Sequence, residues 1–507
     1  MSPGSNLDPA RPGESVLEVG GRLASGPSEL LINSAFKKEL EDQEDLFEAM
    51  GLTDLAHTLV MSEGAIVPAE PGRELLAALL QLQERPADFH LDPARGDLYT
   101  NREAWLGEHS SAVRWLGAGR ARREVTTTAF LIKLRENLLG LAEALTESGQ
   151  AMTTRAEEFR ATIMPDYTYL LAAQPTTFGH YLLGFVYPML RDLDRIRALY
   201  ERVNRSPAGC GSTNGSRLPQ DRRRLAELLG FDGLVTHARD AMWQADLPIE
   251  IAAVLTAILV NLDRLAEDLQ IFSSEEFGLI ELDDRHARAS KIMPQKKNPF
   301  ALTYIRGLAN SMLGTLTVSA AAGRTPSAQP DNRLSLYGLI PRSITETRDA
   351  VGLMGEVLRF LTFHEQHAQA RLADGSALAT DLAEVLVLES GLDFRAAHRL
   401  VGYLVRRYPG NGDLNKLTPD GLGDAAEEML GHRVNLSAAA LRDALNPEVA
   451  IAARTATGGV AWEAMAAMIK ECERGFAESA AWARNYRQRL GTAENSLLDQ
   501  VVKITAS

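Results

Sequence analysis

A chain of 507 residues, 45% hydrophobic and 24% charged, has the length for two or three domains and the composition of an ordinary globular protein with a sizeable core. Its formal charge of −14 argues against a nucleic-acid footprint, while two cysteines, Cys210 and Cys472, argue against a disulfide framework. No stretch approaches the roughly 20 apolar residues that span a bilayer, so a cytoplasmic enzyme or assembly protein is expected.

The chain opens on a Pro-, Gly- and Ser-containing leader, residues 1–13, without the apolar core of a signal peptide. Helical spacing then dominates. It covers 126–148 and 180–203, and is clearest where Ile251, Val254, Leu255, Ile258, Leu262, Leu265 and Leu269 line one helix face. That segment runs from Ile249 to Phe277 without Gly or Pro, a length suited to a bundle. Similar patterns fill 299–320 and 343–363. Strand signals are sparse, and an all-α fold follows. Broad apolar stripes on long helices need partners on several sides, which favours oligomerisation; a monomeric all-α protein is the plainer alternative.

Punctuation falls at 205–216, 323–333 and 408–412. The Gly, Ser and Asn density of 205–216 suits either a surface loop or a backbone that approaches something closely. Boundaries near Arg120 and Leu372 divide the chain into 1–120, a central helical block 121–372 and a C-terminal helical part 373–507.

The stretch richest in chemistry is Ala289-Ser-Lys-Ile-Met-Pro-Gln-Lys-Lys-Asn-Pro299. It lies between an acidic turn, Glu281-Leu-Asp-Asp284, and a helix starting near Pro299, and is therefore expected to be an exposed loop. Lysines bind carboxylates as point charges and Asn298 can donate an amide hydrogen bond, so the loop suits a lid over a dicarboxylate. A solvated basic loop would read the same.

This run resembles the signature of argininosuccinate lyase, fumarase, aspartase and adenylosuccinate lyase, and Met-Pro-Gln-Lys-Lys-Asn-Pro is typical of the argininosuccinate lyase branch. A second run, Met164-Pro-Asp-Tyr-Thr-Tyr-Leu-Leu-Ala-Ala-Gln-Pro-Thr-Thr-Phe-Gly-His180, is similar to another motif of that family. So are Ala379-Thr-Asp-Leu-Ala383, Phe394-Arg-Ala-Ala-His398 with Val401-Gly402, and Arg454-Thr-Ala-Thr-Gly-Gly459. The likeness extends over roughly residues 20–470.

The resemblance implies an aspartase/fumarase-type fold, a homotetramer around a twenty-helix core, and active sites shared between subunits. It also implies elimination of an amine from a succinyl group to release fumarate, without cofactor or metal. By position, Ser290 takes the place of the catalytic serine, Lys296 and Asn298 of substrate-carboxylate contacts, Thr168 of a substrate-binding threonine and Gln174 of the motif glutamine. A serine hydroxyl is a poor base, so its alkoxide needs cationic and backbone N–H neighbours; Lys296 and the loop amides are the candidates.

The sequence also departs from the family. The histidine of the family's Thr-His pair is Tyr169 and its glutamate partner is Thr303, so both members of that dyad are missing together, and no charge is left unpaired. Tyr169 either fills space, hydrogen-bonds Thr303 or acts as the acid. The family's Leu-His-Thr-Gly-Arg-Ser-Arg-Asn-Asp run reads Leu116-Gly-Ala-Gly-Arg-Ala-Arg-Arg-Glu124. Arg120 and Arg122 remain as substrate contacts, and Arg123 replaces an amide with an added cation. The second motif serine is Lys291, a further substrate-binding candidate; a motif histidine is Tyr99; and a motif serine is Asp54, ahead of Ala56-His57. The stretch that reads the arginine moiety has no counterpart in Ser327-Ala-Gln-Pro-Asp-Asn-Arg333.

A carbon–nitrogen lyase acting on an N-substituted succinate other than argininosuccinate, or adding an amine to fumarate, is therefore expected. Authentic argininosuccinate lyase and a non-catalytic, crystallin-like structural homologue are the alternatives. No nucleic acid or membrane partner is expected.

Overall fold

In the computed structural model, the described residues are 22–325, 333–373, 375–408 and 413–506. The leader, most of 327–333 and residues 409–412 lie outside them. In chain order the principal helices begin with α1 (Lys37–Gln43), α2 (Phe47–Glu63), α3 (Ala69–Gln83) and α4 (Leu98–His109). The long α5 (Arg122–Glu158) leads through an antiparallel hairpin, β1 (Ile163–Thr168) and β2 (Leu171–Thr177), into α6 (Phe178–Val203). After α7 (Leu247–Phe272), a second small hairpin, β3 (Arg288–Ala289) and β4 (Lys297–Asn298), precedes α8 (Phe300–Gly323) and α9 (Leu336–Phe360). Then come α10 (Ala379–Ser390), α11 (Phe394–Arg407) and a last helix, α12 (Trp462–Ala506).

Helices α5 to α9 pack into a bundle, α5 against α6 and α9, α7 against α8, α9 and α6. All the expected long helices are present, with shifted ends. Helix α7 stops at Phe272 rather than Phe277, because Ser273 and Ser274 turn their hydroxyls onto the Gln270 and Ile271 carbonyls, at 2.9 and 2.7 Å. Helix α5 runs 37 residues, about 55 Å, past its expected end at 148. Gly149 does not break it, since Phe476 of α12 packs where a Cβ would stand, 2.1 Å from its Cζ. Helix α9 begins at Leu336, ahead of the expected 343, and carries Pro341 inside. Phe363 falls instead in a two-residue strand, Thr362–Phe363, paired with Ile280–Glu281.

The core is continuous from Leu40 through the bundle to Val501, so residues of the expected 1–120 unit share one interior with the central block. A second core spans Leu382 to Ala444. The expected 373–507 part is thereby divided: α10 and α11 belong to the second core, while Met465, Ile469, Cys472 and Phe476 of the 45-residue α12 return to the bundle. Met465, Ile469 and Phe476 each contribute roughly 1.5–3 kcal/mol on burial. Among the described residues no helix is long and apolar enough to cross a membrane.

Candidate active site

Hairpin β3–β4 closes the signature loop. The Ser290 amide donates to Lys296 O (3.4 Å) and the Lys296 amide to Met293 O (3.1 Å), which draws Ser290 and Lys296 to facing positions across the loop. The Ser290 Oγ accepts the N–H of Met293 (3.0 Å) and of Ile292 (3.4 Å). An oxygen resting on two backbone N–H groups is suited to carry negative charge. Asn298 donates one amide hydrogen to Arg288 O (2.9 Å), which holds the hairpin shut and leaves its other hydrogen available. Lys297 is engaged by Glu281 (2.8 Å) and Asp284 (2.7 Å). Lys291 and Lys296, by contrast, form no ion pair among the described residues. The loop is largely exposed, as expected, with Ile292 pointing to solvent.

The arginine strip stands at the start of α5. Arg120 is buried and donates to Asp54 (2.6 Å) and to Leu116 O (3.1 Å), while its Nη1 has no hydrogen-bond partner among the described residues. Asp54 is shared with the fully buried Arg102 (3.1 Å). Arg122 lies 3.2 Å from Asp97 Oδ2, an ion pair without hydrogen-bond alignment, and its side chain is 42% exposed. Asp97 also caps α4 through the Thr100 amide (3.0 Å). The cation that Arg123 brings is met by Glu39 (2.8 Å). His57 sits beneath the strip with Nε2 3.0 Å from Ala118 O. Burial, and then the charge of Arg120, hold its pKa well below the usual histidine value, so the ring is neutral.

The third group lies on hairpin β1–β2. Its base is buried through Met164, Pro165, Thr176 and Thr177, and Tyr167 packs on Phe272 and Phe277. Its tip is a two-residue turn with φ of +54° at Tyr169 and +60° at Leu170, left-handed at both positions without glycine. Thr168 and Gln174 are exposed, and Tyr169 is 98% exposed. A bond from Tyr169 to Thr303, one of the alternatives for this residue, is not formed within the chain: the Thr303 hydroxyl turns back to Pro299 O (3.3 Å).

Within one chain, then, Ser290, Lys291, Lys296 and Asn298 share a loop; Thr168, Tyr169 and Gln174 share a hairpin; and Arg120, Arg122 and Arg123 share a helix start. Among the described residues no hydrogen bond or ion pair joins one group to another. The other signatures meet structurally. His180 lies 3.0 Å from Gly458 O, and Arg454 pairs with Asp381 at 2.9 Å, tying the hairpin motif to two of the three C-terminal motifs, 379–383 and 454–459.

Sequence reasoning overlooked the carboxylates Glu39, Asp54, Asp97 and Glu124 as partners of this strip. Three arginines within four residues of an acidic chain were the available signal. The glycine-rich 205–216 segment does approach something closely: Gly209 donates to Glu124 Oε1 (2.7 Å) and Gly211 to Oε2. Burial pushes the Glu124 carboxyl up to about 7, against the opposing pull of these amides and of Arg120.

The lyase family model matches residues 39–314, and a model of the argininosuccinate lyase C-terminal region matches 376–452. An argininosuccinate lyase of Methanosarcina acetivorans is 35% identical over 454 residues, covering 88% of this chain and 90% of that protein. One from Methanococcoides burtonii is 32% identical, covering 95% and 98%. Among solved structures, EDDS lyase in complex with formate superposes with a TM-score of 0.86 at 30% identity, covering 95% of this chain and 96% of that one. A class II fumarase from Schistosoma mansoni, at 14% identity and a TM-score of 0.66, shares the fold, with 79% and 89% covered.

Proposed function

This chain belongs to the argininosuccinate lyase family, and from that premise we propose that it eliminates an amine from an N-substituted succinate other than argininosuccinate, or runs the addition to fumarate. It is a carbon–nitrogen lyase with the all-α aspartase/fumarase-type fold. The observation that carries the mechanism is the Ser290 oxygen resting on the Met293 and Ile292 amides, with Lys296 across the same loop.

In the proposed step the Ser290 alkoxide takes the proton from the carbon beside a substrate carboxylate. The electron pair moves into that carboxylate, whose doubly negative form is neutralised by Lys296 and a hydrogen bond from Asn298. Collapse forms the carbon–carbon double bond and breaks the bond to nitrogen, and the leaving amine takes a proton from the Tyr169 phenol. Thr168, Gln174, Lys291 and the open side of Arg122 bind the remainder, with Arg120 and Arg123 held behind it. Since the three groups lie apart in one chain, we place them together in a homotetramer of shared sites, in the cytoplasm, without cofactor or metal. A hydroxyl tip left in solvent at Tyr169 is suited to reach a neighbouring copy.

The test is to mix purified protein with fumarate and a panel of amines, and in reverse with EDDS and argininosuccinate, following the fumarate absorbance. Turnover with some amine and none with argininosuccinate is expected, with Ser290→Ala lowering the rate by about 10²-fold or more at an unchanged melting temperature. Efficient cleavage of argininosuccinate would return the chain to its relatives' activity. Absence of any turnover, with Ser290→Ala indistinguishable, would favour the crystallin-like alternative.

A further inference from the structure

We propose that Glu124 is a positioning residue, whose carboxylate clamps the 205–216 loop against the first turn of α5 and so fixes where Arg122 and Arg123 stand. The inference rests on the reading that the open side of Arg122 faces substrate. Its basis is a three-point staple around the two arginines. On one side of them the Ala121 amide donates to Gly211 O (2.7 Å). On the other, Glu124 receives the amides of Gly209 (2.7 Å) and of Gly211 itself. A fourth bond, from Gln220 Nε2 to Gly119 O (2.6 Å), holds the strip one turn earlier.

The loop is built for this grip. Gly209 and Gly211 have φ of +75° and +74°, and a Cβ at Gly211 would stand 2.7 Å from Gly215 O. Its far side is fixed by Arg222, which donates to the carbonyls of Ala208 (3.0 Å), Val235 (2.7 Å) and Thr236 (3.1 Å). Glu39, Asp54 and Asp97 hold the arginine side chains themselves. The strip is therefore gripped between three carboxylates that set its charge and one loop that sets its backbone. A buried carboxylate receiving two amides, two residues from Arg122, takes no part in the proton transfers proposed above, and its geometry is that of a fastener. Asp stands at this position in the family motif that the run resembles; Glu here reaches one methylene further.

The experiment compares the full-length wild type with Glu124→Gln and Glu124→Asp. A carboxamide has a single acceptor oxygen and sets an NH₂ against one of the two amides, so one charge-assisted bond is lost. We expect hydrogen exchange of the 205–216 peptide to quicken about tenfold to a hundredfold in Glu124→Gln, with peptides from α7 unchanged. The KM for fumarate, in turnover with the best amine of the panel, should rise by a similar factor while kcat stays within about threefold. Glu124→Asp, which keeps the charge, should recover a large part of both. Faster exchange with unchanged KM would overturn the positioning role, as would a raised KM with unchanged exchange. Should the wild type turn over no amine, the reaction reading falls, and fumarate affinity by calorimetry with the same exchange measurement decides the clamp: equal affinity in wild type and Glu124→Gln sinks it.

Discussion

At Glu124 two demands pull in opposite directions. The ionised carboxylate is the form that accepts both glycine amides, yet burial disfavours that form and lifts the pKa from an ordinary 4.5 to about 7. A folded-state value above the unfolded one means that the group's contribution to stability is fully present below pH 4.5 and is lost as the pH rises through about 7. Thermal melts from pH 5 to 8 should therefore show wild type losing ground to Glu124→Gln, although the variant is the weaker binder. A pH-independent difference would show that this carboxyl does not titrate in the window. None of the partners in the strip was legible locally, because Asp54 meets Arg120 across 66 residues of sequence and Glu39 meets Arg123 across 84. The setting of Ser290 was legible because it lies in one contiguous run, whose turn geometry brings its own amides to the oxygen.

Among the elements, the long helices could be read from spacing of three and four, since each buries one face against its neighbours. The β1–β2 hairpin could not. Its turn carries Tyr169-Leu170, where Asn-Gly or Asp-Gly would have signalled a two-residue reversal. Two left-handed residues with side chains cost roughly 1–2 kcal/mol each. Strain of that kind, at a tip whose base is well buried, is what a functional demand on the tip would leave. Replacing the pair, Tyr169→Asn with Leu170→Gly, should raise stability by about 1–3 kcal/mol in denaturant titration while turnover collapses with the loss of the phenol. A less stable double variant would show that the turn is relaxed as it stands. Helix α12 was also missed as part of the bundle: Gly475 and Gly491 interrupt its pattern, and its partners lie some 300 residues upstream. In the fold Gly475 makes room for Leu190 of α6, 2.8 Å from where a Cβ would be.

For the whole molecule, the exposed apolar side chains are informative where they gather on bundle helices. Val260 on α7 and Phe300, Tyr304, Leu313 and Val318 on α8 stand open in the isolated chain. Side chains of this kind in helices already packed on two sides are what a multi-chain helical core would cover. Light scattering should give four chain masses in solution, and Leu313→Glu with Val318→Glu should lower that mass together with activity. A fully active monomer would separate the fold from the shared site. The division of the C-terminal part has its own meaning for how the molecule is made. Helix α12 packs on both α5 and α6, which are made early in synthesis, and it emerges after the small 382–444 core. A ribosome that stalls before residue 462 would therefore release a polypeptide whose α5 and α6 lack this apolar cover, a natural target for chaperones and proteases.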